Sequence, residues 1–330
     1  LQNQIAEIAK SVDPEKKGVE VGTASVAMAA SGMDGEDLAN GLIFAINKFR
    51  HSKDSEFNIH NLSEQFTSLV SEASETVTNF KNIVKHSDFD VAFQPIVDAF
   101  TGHVHHYEAL VRFHKDKHGT SPYETITFAE ETGLISDFDL AMARKVIEKL
   151  ATTPKESTIS VAVNISGSSV GSGEYLEGLF ELLKLHPWSK DRLIFEITES
   201  SRLADLSTAN DFIQRLRKGG FDVCLDDFGA GAANFEYLST LEVDVVKLDG
   251  PVVKNAQAAP KGRAFLKALI SLCKELEVET IAEMIDSKEG LDFVRDCGIN
   301  YVQGYLVGKP FTDMSGFLKK RDEDLFGPVT

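Results

Sequence analysis

Residues 221–231 have the sequence FDVCLDDFGAG, an apolar run that ends in two adjacent carboxylates and a loop of small residues. The run Phe221–Leu225 predicts a buried strand. Placing Asp226 and Asp227 where a buried strand ends is costly unless a positive charge offsets theirs. A divalent cation with oxygen ligands is the simplest such charge, although an isolated Asp-Asp pair is more often part of a solvated loop. The rest of the chain decides between these two interpretations.

Apolar runs of similar length recur between residues 91 and 303, and amphipathic helical stretches separate most of them. The eight candidate strands are Val91–Val97, Val104–Leu110, Ile159–Ile165, Leu193–Thr198, Phe221–Leu225, Val243–Leu248, Val278–Ala282 and Tyr301–Val302. The helices between them include Asp137–Leu150, Ala209–Lys218 and Gly262–Glu275. This alternation predicts an α/β protein with a (β/α)8 barrel of the TIM type, and an open doubly wound sheet is the alternative. The short connection 98–102 predicts that the first two strands are antiparallel.

Polar side chains occur at or near the ends of seven of these runs. They are Glu108, Asn164, Glu196, Asp226 with Asp227, Lys247, Glu283 and Gln303. In a barrel the C-terminal ends of the strands meet at one mouth, where active sites form. Each residue taken alone is more simply explained as a satisfied polar group at a strand end. Seven strands that each supply one indicate a shared site.

The chemical types in this set favour hard metal ions. Five side chains offer oxygen atoms, which is enough for two divalent cations that share a carboxylate. They are Glu108, Asn164, Glu196, Asp226 and Asp227. Because the set contains no His or Cys, Mg²⁺ or Mn²⁺ fits better than Zn²⁺.

The remaining residues of the set suggest what such metal ions would act on. Lys247 can orient a water molecule or stabilise an oxyanion, and Glu283 is free to act as a general base. Arg112, four residues after Glu108, can hold a phosphate through two hydrogen bonds. Two metals, a base and a phosphate-binding group predict hydrolysis of a phosphate ester.

The composition limits the partners and the location. The formal net charge of −17 argues against binding of a DNA or RNA polymer, and a small anionic ligand would need a local cation. No apolar run approaches the roughly 18 residues of a membrane span, and no signal peptide is visible. We therefore expect a cytoplasmic protein, and a longer parent chain could be tethered to the inner face of the membrane.

Nine segments in chain order resemble the motifs of the EAL-domain cyclic di-GMP phosphodiesterases, over residues 88 to 318. They are FQPIV (93–97), YEALVR (107–112), FAEETGLI (128–135), VNIS (163–166), FEITES (195–200), DDFG (226–229), VKLD (246–249), IAE (281–283) and VQGY (302–305). The resemblance implies hydrolysis of one phosphodiester bond of cyclic di-GMP to give linear pGpG, with Mg²⁺ or Mn²⁺ at a two-metal site. It also implies a homodimer.

The same resemblance implies roles for individual residues. Metal binding is implied for Glu108, Asn164, Glu196, Asp226 and Asp227. Glu283 is implied to be the base, with Lys247 near the attacking water. Substrate contacts are implied for Gln94, Arg112 and Gln303, and Asp286 stands where the family has a second acid. Glu199 is implied to brace the loop that follows Asp227.

Three segments depart from the family pattern. Residues 232–235 are Ala-Ala-Asn-Phe where Tyr-Ser-Ser-Leu is usual, Met284-Ile285-Asp286 replaces Gly-Val-Glu, and Gly250 replaces an arginine. The first change affects the loop that orders the second metal. These departures keep open a second hypothesis, a catalytically silent receptor that binds cyclic di-GMP and signals through its N-terminal helix. A third, an unrelated metal-dependent barrel hydrolase, has least support.

The N-terminal part predicts a separate organisation. Residues 17–29 predict a strand and 35–50 an amphipathic helix, and this α+β fragment resembles the C-terminal end of a degenerate GGDEF (diguanylate cyclase) domain. Residues 60–85 predict a connecting helix, either a signalling helix or one packed on its own domain. The predicted domains are 1–56 (GGDEF-like), 57–86 (helical linker), 87–320 (EAL-type barrel) and 321–330 (tail). Because the chain begins at Leu1, we expect a longer protein with room for an upstream sensor domain.

Overall fold

The structure is a computed structural model, and it describes residues 39–41, 43–44, 62–114, 121–153, 159–198, 205–229 and 234–313. The chain divides into two compact units, and all strands given below belong to the larger one, Ile83–Glu130 with Leu134–Thr330.

Eight strands pair in sequence order and close into a barrel. They are β1 (Phe89–Asp98), β2 (Val104–Phe113), β3 (Val161–Ile165), β4 (Leu193–Thr198), β5 (Asp222–Phe228), β6 (Val245–Leu248), β7 (Glu279–Ala282) and β8 (Tyr301–Gln303). Closure confirms the predicted barrel and excludes the open doubly wound sheet. Along the middle of the strands nearly every residue is buried, because the side chains that point outward are covered by helices and those that point inward fill the barrel.

Strand β1 runs in the opposite direction to the rest of the barrel. It is antiparallel to β2, as predicted, and also antiparallel to β8, whereas the other neighbours are parallel. Asp98 Oδ1 fixes the reversal by accepting hydrogen bonds from the backbone N–H and hydroxyl of Thr101, at 2.7 and 2.9 Å. This register places Gln94 of β1 directly opposite Glu108 of β2.

The helices agree with the predicted alternation. They are α1 (Leu62–His86), α2 (Pro122–Thr132), α3 (Ile135–Ala151), α4 (Gly167–Val170), α5 (Gly173–Leu185), a 3-10 helix (Pro187–Asp191), α6 (Leu206–Lys218), α7 (Asn234–Thr240), α8 (Gly250–Ala258), α9 (Pro260–Glu275) and α10 (Lys288–Cys297). Helices α6 and α9 begin a few residues before the apolar periodicity does. The side chain of Asp205 caps α6, and Pro260 starts α9, where its missing N–H is no loss.

Strand β5 extends beyond the run that predicted it. The sequence indicated Phe221–Leu225, but the strand continues through Asp226 and Asp227 to Phe228. The charge of Asp226 does not end the strand because a buried lysine of the next strand compensates it, as described below.

The N-terminal predictions are tested only in part. The helix α1 confirms the helical prediction for 60–85, while its signalling role stays a prediction. Residues 39–41 and 43–44, inside the predicted helix 35–50, are helical. The predicted strand 17–29 lies outside the described residues, and the four domain boundaries stay predictions. Within the described ranges, none of the helices combines the length and apolar character that crossing a membrane requires.

Candidate active site

Lys247 lies at the centre of the barrel mouth. It is 1% exposed, and its ammonium group contacts carboxylates from four different strands or strand ends. The Nζ distances are 2.9 Å to Asp226 Oδ1, 2.9 Å to Glu283 Oε1, 3.3 Å to Glu108 Oε2 and 3.4 Å to Glu196 Oε2. Burial alone would lower the pKa of Lys247, but the four acids outweigh it and raise this pKa well above its ordinary value. The lysine is therefore a fixed positive charge.

One ammonium group does not neutralise these acids. Burial raises the pKa of Glu196 well above its ordinary value, in spite of the opposing effect of Lys247. Burial likewise raises the pKa of Glu283 to about 7 and, together with the charge of Asp226, that of Asp227 to about 6. The mouth therefore holds more negative charge than its single lysine balances, which is the condition that a divalent cation relieves.

Glu108 differs from the other acids because it has several hydrogen-bond donors. Burial would raise its pKa, but Lys247 and two side-chain amides outweigh burial and lower it. Gln303 Nε2 donates to Glu108 Oε2 at 2.6 Å, and Asn164 Nδ2 donates to Glu108 Oε1 at 3.0 Å. The amide of Asn164 is thereby oriented with its oxygen turned away from Glu108.

Four buried side-chain oxygens of the site lack a hydrogen-bond partner among the described residues. They are Asn164 Oδ1, Glu196 Oε1, Asp226 Oδ1 and Gln303 Oε1. A buried acceptor without a donor is costly, and metal coordination is one way to satisfy it. Three of the four belong to residues that the sequence predicted as metal ligands, and of these Asp226 Oδ1 also lies 2.9 Å from Lys247 Nζ.

The acids form two groups with the spacing of a metal site. Glu108, Glu196 and Asp226 each offer an oxygen within 4.8 Å of the others, and so do Asp226, Asp227 and Glu283. Asp226 belongs to both groups, which agrees with the predicted shared carboxylate. With oxygen donors only, the residues fit a pair of hard divalent cations.

The backbone of β5 explains how two adjacent aspartates serve one site. Neighbouring side chains of a regular strand point to opposite faces. Asp227 instead has a φ of +54°, a left-handed conformation that Asp tolerates better than most residues, and the pairing with β6 is irregular between Leu225 and Phe228. The usual alternation is broken there, so both carboxylates reach Glu283.

A cavity of about 340 Å³ lies beside the acids. Its lining consists of Gln94, Glu108, Leu110, Glu283, Met284, Asp286, Gln303, Gly304 and Tyr305. Gln303 Nε2 lies 3.3 Å from Gln94 Oε1, and Gln94 Nε2 donates to the carbonyl of Gly308 at 3.2 Å. Three of the predicted substrate-binding residues, Gln94, Gln303 and Asp286, thus share this cavity.

Two other predicted residues are not placed in the cavity. Arg112 is half-buried on β2 and donates to the carbonyl of Val111 at 2.8 Å, and it does not belong to the lining. Its phosphate contact stays a prediction that requires the side chain to turn. Glu199 lies outside the described residues, so its bracing role also stays a prediction.

His106, which was not predicted from the sequence, lies beneath the acids. It is 1% exposed, its Nδ1 is 2.7 Å from His105 Nδ1, and its Nε2 is 3.9 Å from Glu196 Oε1. His106 precedes Glu108 by two residues and so faces the same side of β2. That spacing is the signal that could have identified it.

Asp139 of α3, also not predicted, supports the segment after β3. Its Oδ2 accepts hydrogen bonds from the backbone N–H of Ser166 at 2.8 Å and from Ser169 Oγ at 2.7 Å. Burial raises the pKa of this carboxyl to about 7. The contacts fix the backbone two residues beyond Asn164, which helps to hold that amide in place.

The fold and site define a class of protein, an α/β barrel whose mouth gathers acids around a buried lysine and can hold divalent metal. Residues 78–310 match the family model of the EAL domain. The chain belongs to the EAL domain family. This confirms the predicted resemblance, while the degenerate GGDEF remnant stays a prediction.

Relatives and solved structures agree with the family. The chain is 33% identical to cyclic di-GMP phosphodiesterase PdeB of Shewanella oneidensis, over 58% of this chain and 22% of that protein. It is 30% identical to a cyclic di-GMP phosphodiesterase of Pseudomonas aeruginosa, over 67% of this chain and 38% of that protein. The chain thus spans well under half of these relatives' length. The crystal structure of the FimX EAL domain from Pseudomonas aeruginosa bound to c-di-GMP aligns with a TM-score of 0.65 and 25% identity, covering 73% of this chain and 98% of that one.

Proposed function

We propose that this chain is a metal-dependent phosphodiesterase that hydrolyses cyclic di-GMP to linear pGpG. The observation that carries the proposal is the pair of acidic groups joined through Asp226 at the edge of a cavity of about 340 Å³. The relatives named as cyclic di-GMP phosphodiesterases support the same substrate. We further propose that the protein acts as a cytoplasmic homodimer.

The proposed metal ligands are five oxygen-bearing residues of the mouth, Glu108, Asn164, Glu196, Asp226 and Asp227. Two bound Mg²⁺ or Mn²⁺ ions would supply positive charge for the phosphate and make water a better nucleophile. The oxygens Asn164 Oδ1 and Glu196 Oε1 are the clearest support for this set, because both are buried and lack a hydrogen-bond partner among the described residues.

Glu283 is the proposed general base. It follows β7, lines the cavity and has a pKa raised to about 7 by burial, which suits proton transfer near neutral pH. Lys247 Nζ, 2.9 Å from Glu283 Oε1, holds this carboxylate in place and can stabilise charge that develops on a phosphate oxygen. The proposed base therefore belongs to one of the acidic groups and also lines the space for the substrate.

The two glutamines are the proposed contacts to the substrate. Gln94 and Gln303 are both buried, and both line the cavity. Gln303 also donates a hydrogen bond to Glu108, so the same side chain would contact both the substrate and a proposed metal ligand. Asp286 is exposed, and its Oδ2 lies 3.7 Å from Lys254 Nζ. We propose that it contacts the substrate on the solvent-facing side of the cavity.

Replacing the base tests the proposal most directly. Glu283→Gln should lower kcat by about 10²–10⁴-fold while cyclic di-GMP binding changes little, because the amide keeps the shape but cannot accept the proton. The measurement is pGpG formation with Mg²⁺ or Mn²⁺, together with calorimetric binding of cyclic di-GMP. The matched control is Glu181→Gln on the exposed side of α5, which should leave both values unchanged.

The outcomes separate the two hypotheses. If the wild-type protein binds cyclic di-GMP but forms no pGpG with either metal, the protein is a catalytically silent receptor. Wild-type protein that neither binds nor hydrolyses the dinucleotide contradicts the proposal. Full activity of Glu283→Gln would leave the reaction standing and remove Glu283 from the role of base.

A further inference from the structure

Met284 occupies a position whose backbone suits glycine rather than methionine. Its φ is +54°, in the left-handed region that side chains with a Cβ disfavour. The residue directly follows Glu283, and its side chain is 52% exposed. Backbone strain of this kind tends to persist where the side chain has a use.

The side chain of Met284 is directed by a neighbouring glycine. A Cβ on Gly250, the first residue of α8, would lie 2.3 Å from Met284 Sδ and 2.5 Å from its Cγ. Gly250 is not among the glycines with positive φ, so its backbone would accept alanine. What requires glycine at 250 is therefore the space that the thioether fills.

The backbone on either side of Met284 is held firmly. The N–H of Glu283 donates to the carbonyl of Leu248 at 3.2 Å, and the N–H of Ile285 donates to the carbonyl of Gln303 at 2.9 Å. On the far side of Ile285 the backbone of Gly304 approaches so closely that a Cβ there would lie 2.1 Å from the Ile285 carbonyl oxygen. Met284 is thus presented to the cavity from a fixed loop.

The cavity is lined by both polar and apolar side chains. Its polar lining includes Glu108 and Glu283, which belong to the acidic groups, whereas Leu110, Met284 and Tyr305 are apolar. A cyclic dinucleotide also has two kinds of surface, charged phosphates and planar purine bases. When the phosphates lie against the metal ligands, a base needs an apolar surface. A thioether is polarisable and makes favourable contacts with aromatic rings.

We propose that Met284 is a substrate-binding residue whose thioether packs against a purine base of the dinucleotide, and that Gly250 is required to leave room for it. This inference rests on the proposed function, since it assigns one wall of the same cavity. It concerns affinity for the base and not the reacting phosphate, so its effect should be on KM.

The test is a double-mutant cycle between the two residues. Met284→Gly should raise the KM for cyclic di-GMP by about 3–10-fold and change kcat less than twofold, and Met284→Leu should restore most of the affinity. Gly250→Ala should raise KM several-fold in the wild-type background, because it displaces the thioether. In the Met284→Gly background Gly250→Ala should have no effect, since nothing is left to displace.

Thermal melting of each variant excludes unfolding as the cause. Met284→Gly relieves the left-handed strain, so its melting temperature should equal or exceed that of the wild type. If the wild-type protein hydrolyses cyclic di-GMP and Met284→Gly has the same KM as the wild type, this inference is wrong and the proposed function stands. An equal effect of Gly250→Ala in both backgrounds would lead to the same conclusion. Wild-type protein that neither binds nor hydrolyses cyclic di-GMP would overturn both this inference and the proposed function.

Discussion

The interior of the barrel contains two layers of opposite chemistry, although the same strands supply both. The floor layer is an apolar cluster of Ile96, Ala162, Ile194, Cys224, Val245 and Ile281. The mouth layer consists of Gln94, Glu108, Asn164, Glu196, Asp226, Lys247 and Glu283. Apart from Glu108, each residue of the mouth layer is two positions along the chain from a residue of the floor layer. Those on a strand therefore face the same way as their floor residue, and Glu283 directly follows the end of β7. The interior changes from apolar to charged within about 7 Å.

The difference shows how a stable core can carry a charged site. The floor layer is apolar, and the acids above it are themselves buried, which raises the pKa of Glu196 and Glu283. Lys247 offsets part of that cost by contacting four carboxylates at once. Strand β2 is the exception to the pattern, because His106 stands two residues before Glu108 where the other strands have apolar groups.

Removing the lysine should have the largest effect on this arrangement. Lys247→Met keeps the volume but leaves the surrounding carboxylates without their cation, and breaking a buried ion pair from one side costs about 3–5 kcal/mol. We expect the free energy of unfolding of the metal-free protein at pH 7 to fall by that amount and turnover to be lost. Denaturant unfolding in the presence of a chelator measures the loss.

The control for this variant is Lys274→Met on the exposed side of α9, which should change stability by less than about 0.5 kcal/mol. If Lys247→Met is as stable as the control, the lysine does not compensate the acids.

The buried carboxyl of Asp139 can be compared with the acids of the mouth layer, because the hydrogen bonds that its Oδ2 accepts come from serines and not from a lysine. Asp139 accepts hydrogen bonds from Ser166 and Ser169, and burial raises its pKa to about 7 from an ordinary value of 3.8. The folded protein therefore holds a proton there that the unfolded chain has lost between pH 4 and 7. The contribution of this group to stability is full below about pH 4 and is lost as the pH rises to about 7.

The variant Asp139→Asn should remove this pH dependence. The stability of the wild type relative to the variant should fall by roughly 3–4 kcal/mol between pH 4 and pH 7, at 1.36 kcal/mol for each pKa unit. Urea unfolding of both proteins at unit pH steps measures the difference, in which the other titrating groups cancel. A difference that stays constant over this range would show that Asp139 is ionised in the fold.

The sequence was sufficient to predict the strands and the acids of the mouth layer. Apolar runs and polar strand ends are local patterns, and they predicted the barrel, the antiparallel β1–β2 pair and the convergence of Glu108, Glu196 and Asp226. The contact of Lys247 with four acids depends on barrel closure and could not be deduced from spacing. The left-handed turn at Asp227 and the fit of Met284 over Gly250 are likewise contacts or angles that no periodicity encodes.

The smallest predicted effect tests whether the two layers are independent. Ile281 lies in the floor layer two residues before Glu283, and Ile281→Val removes one buried methyl group. We expect the free energy of unfolding to fall by about 0.5–1.5 kcal/mol, while KM, kcat and Mn²⁺ affinity stay within twofold of the wild type. Denaturant unfolding and steady-state kinetics on the same preparation measure both. Close packing transmits small displacements, so a loss of Mn²⁺ affinity larger than the loss of stability would mean that the floor layer sets the position of the acids. Unchanged affinity would mean that Lys247 and the hydrogen bonds within the mouth layer suffice to hold them.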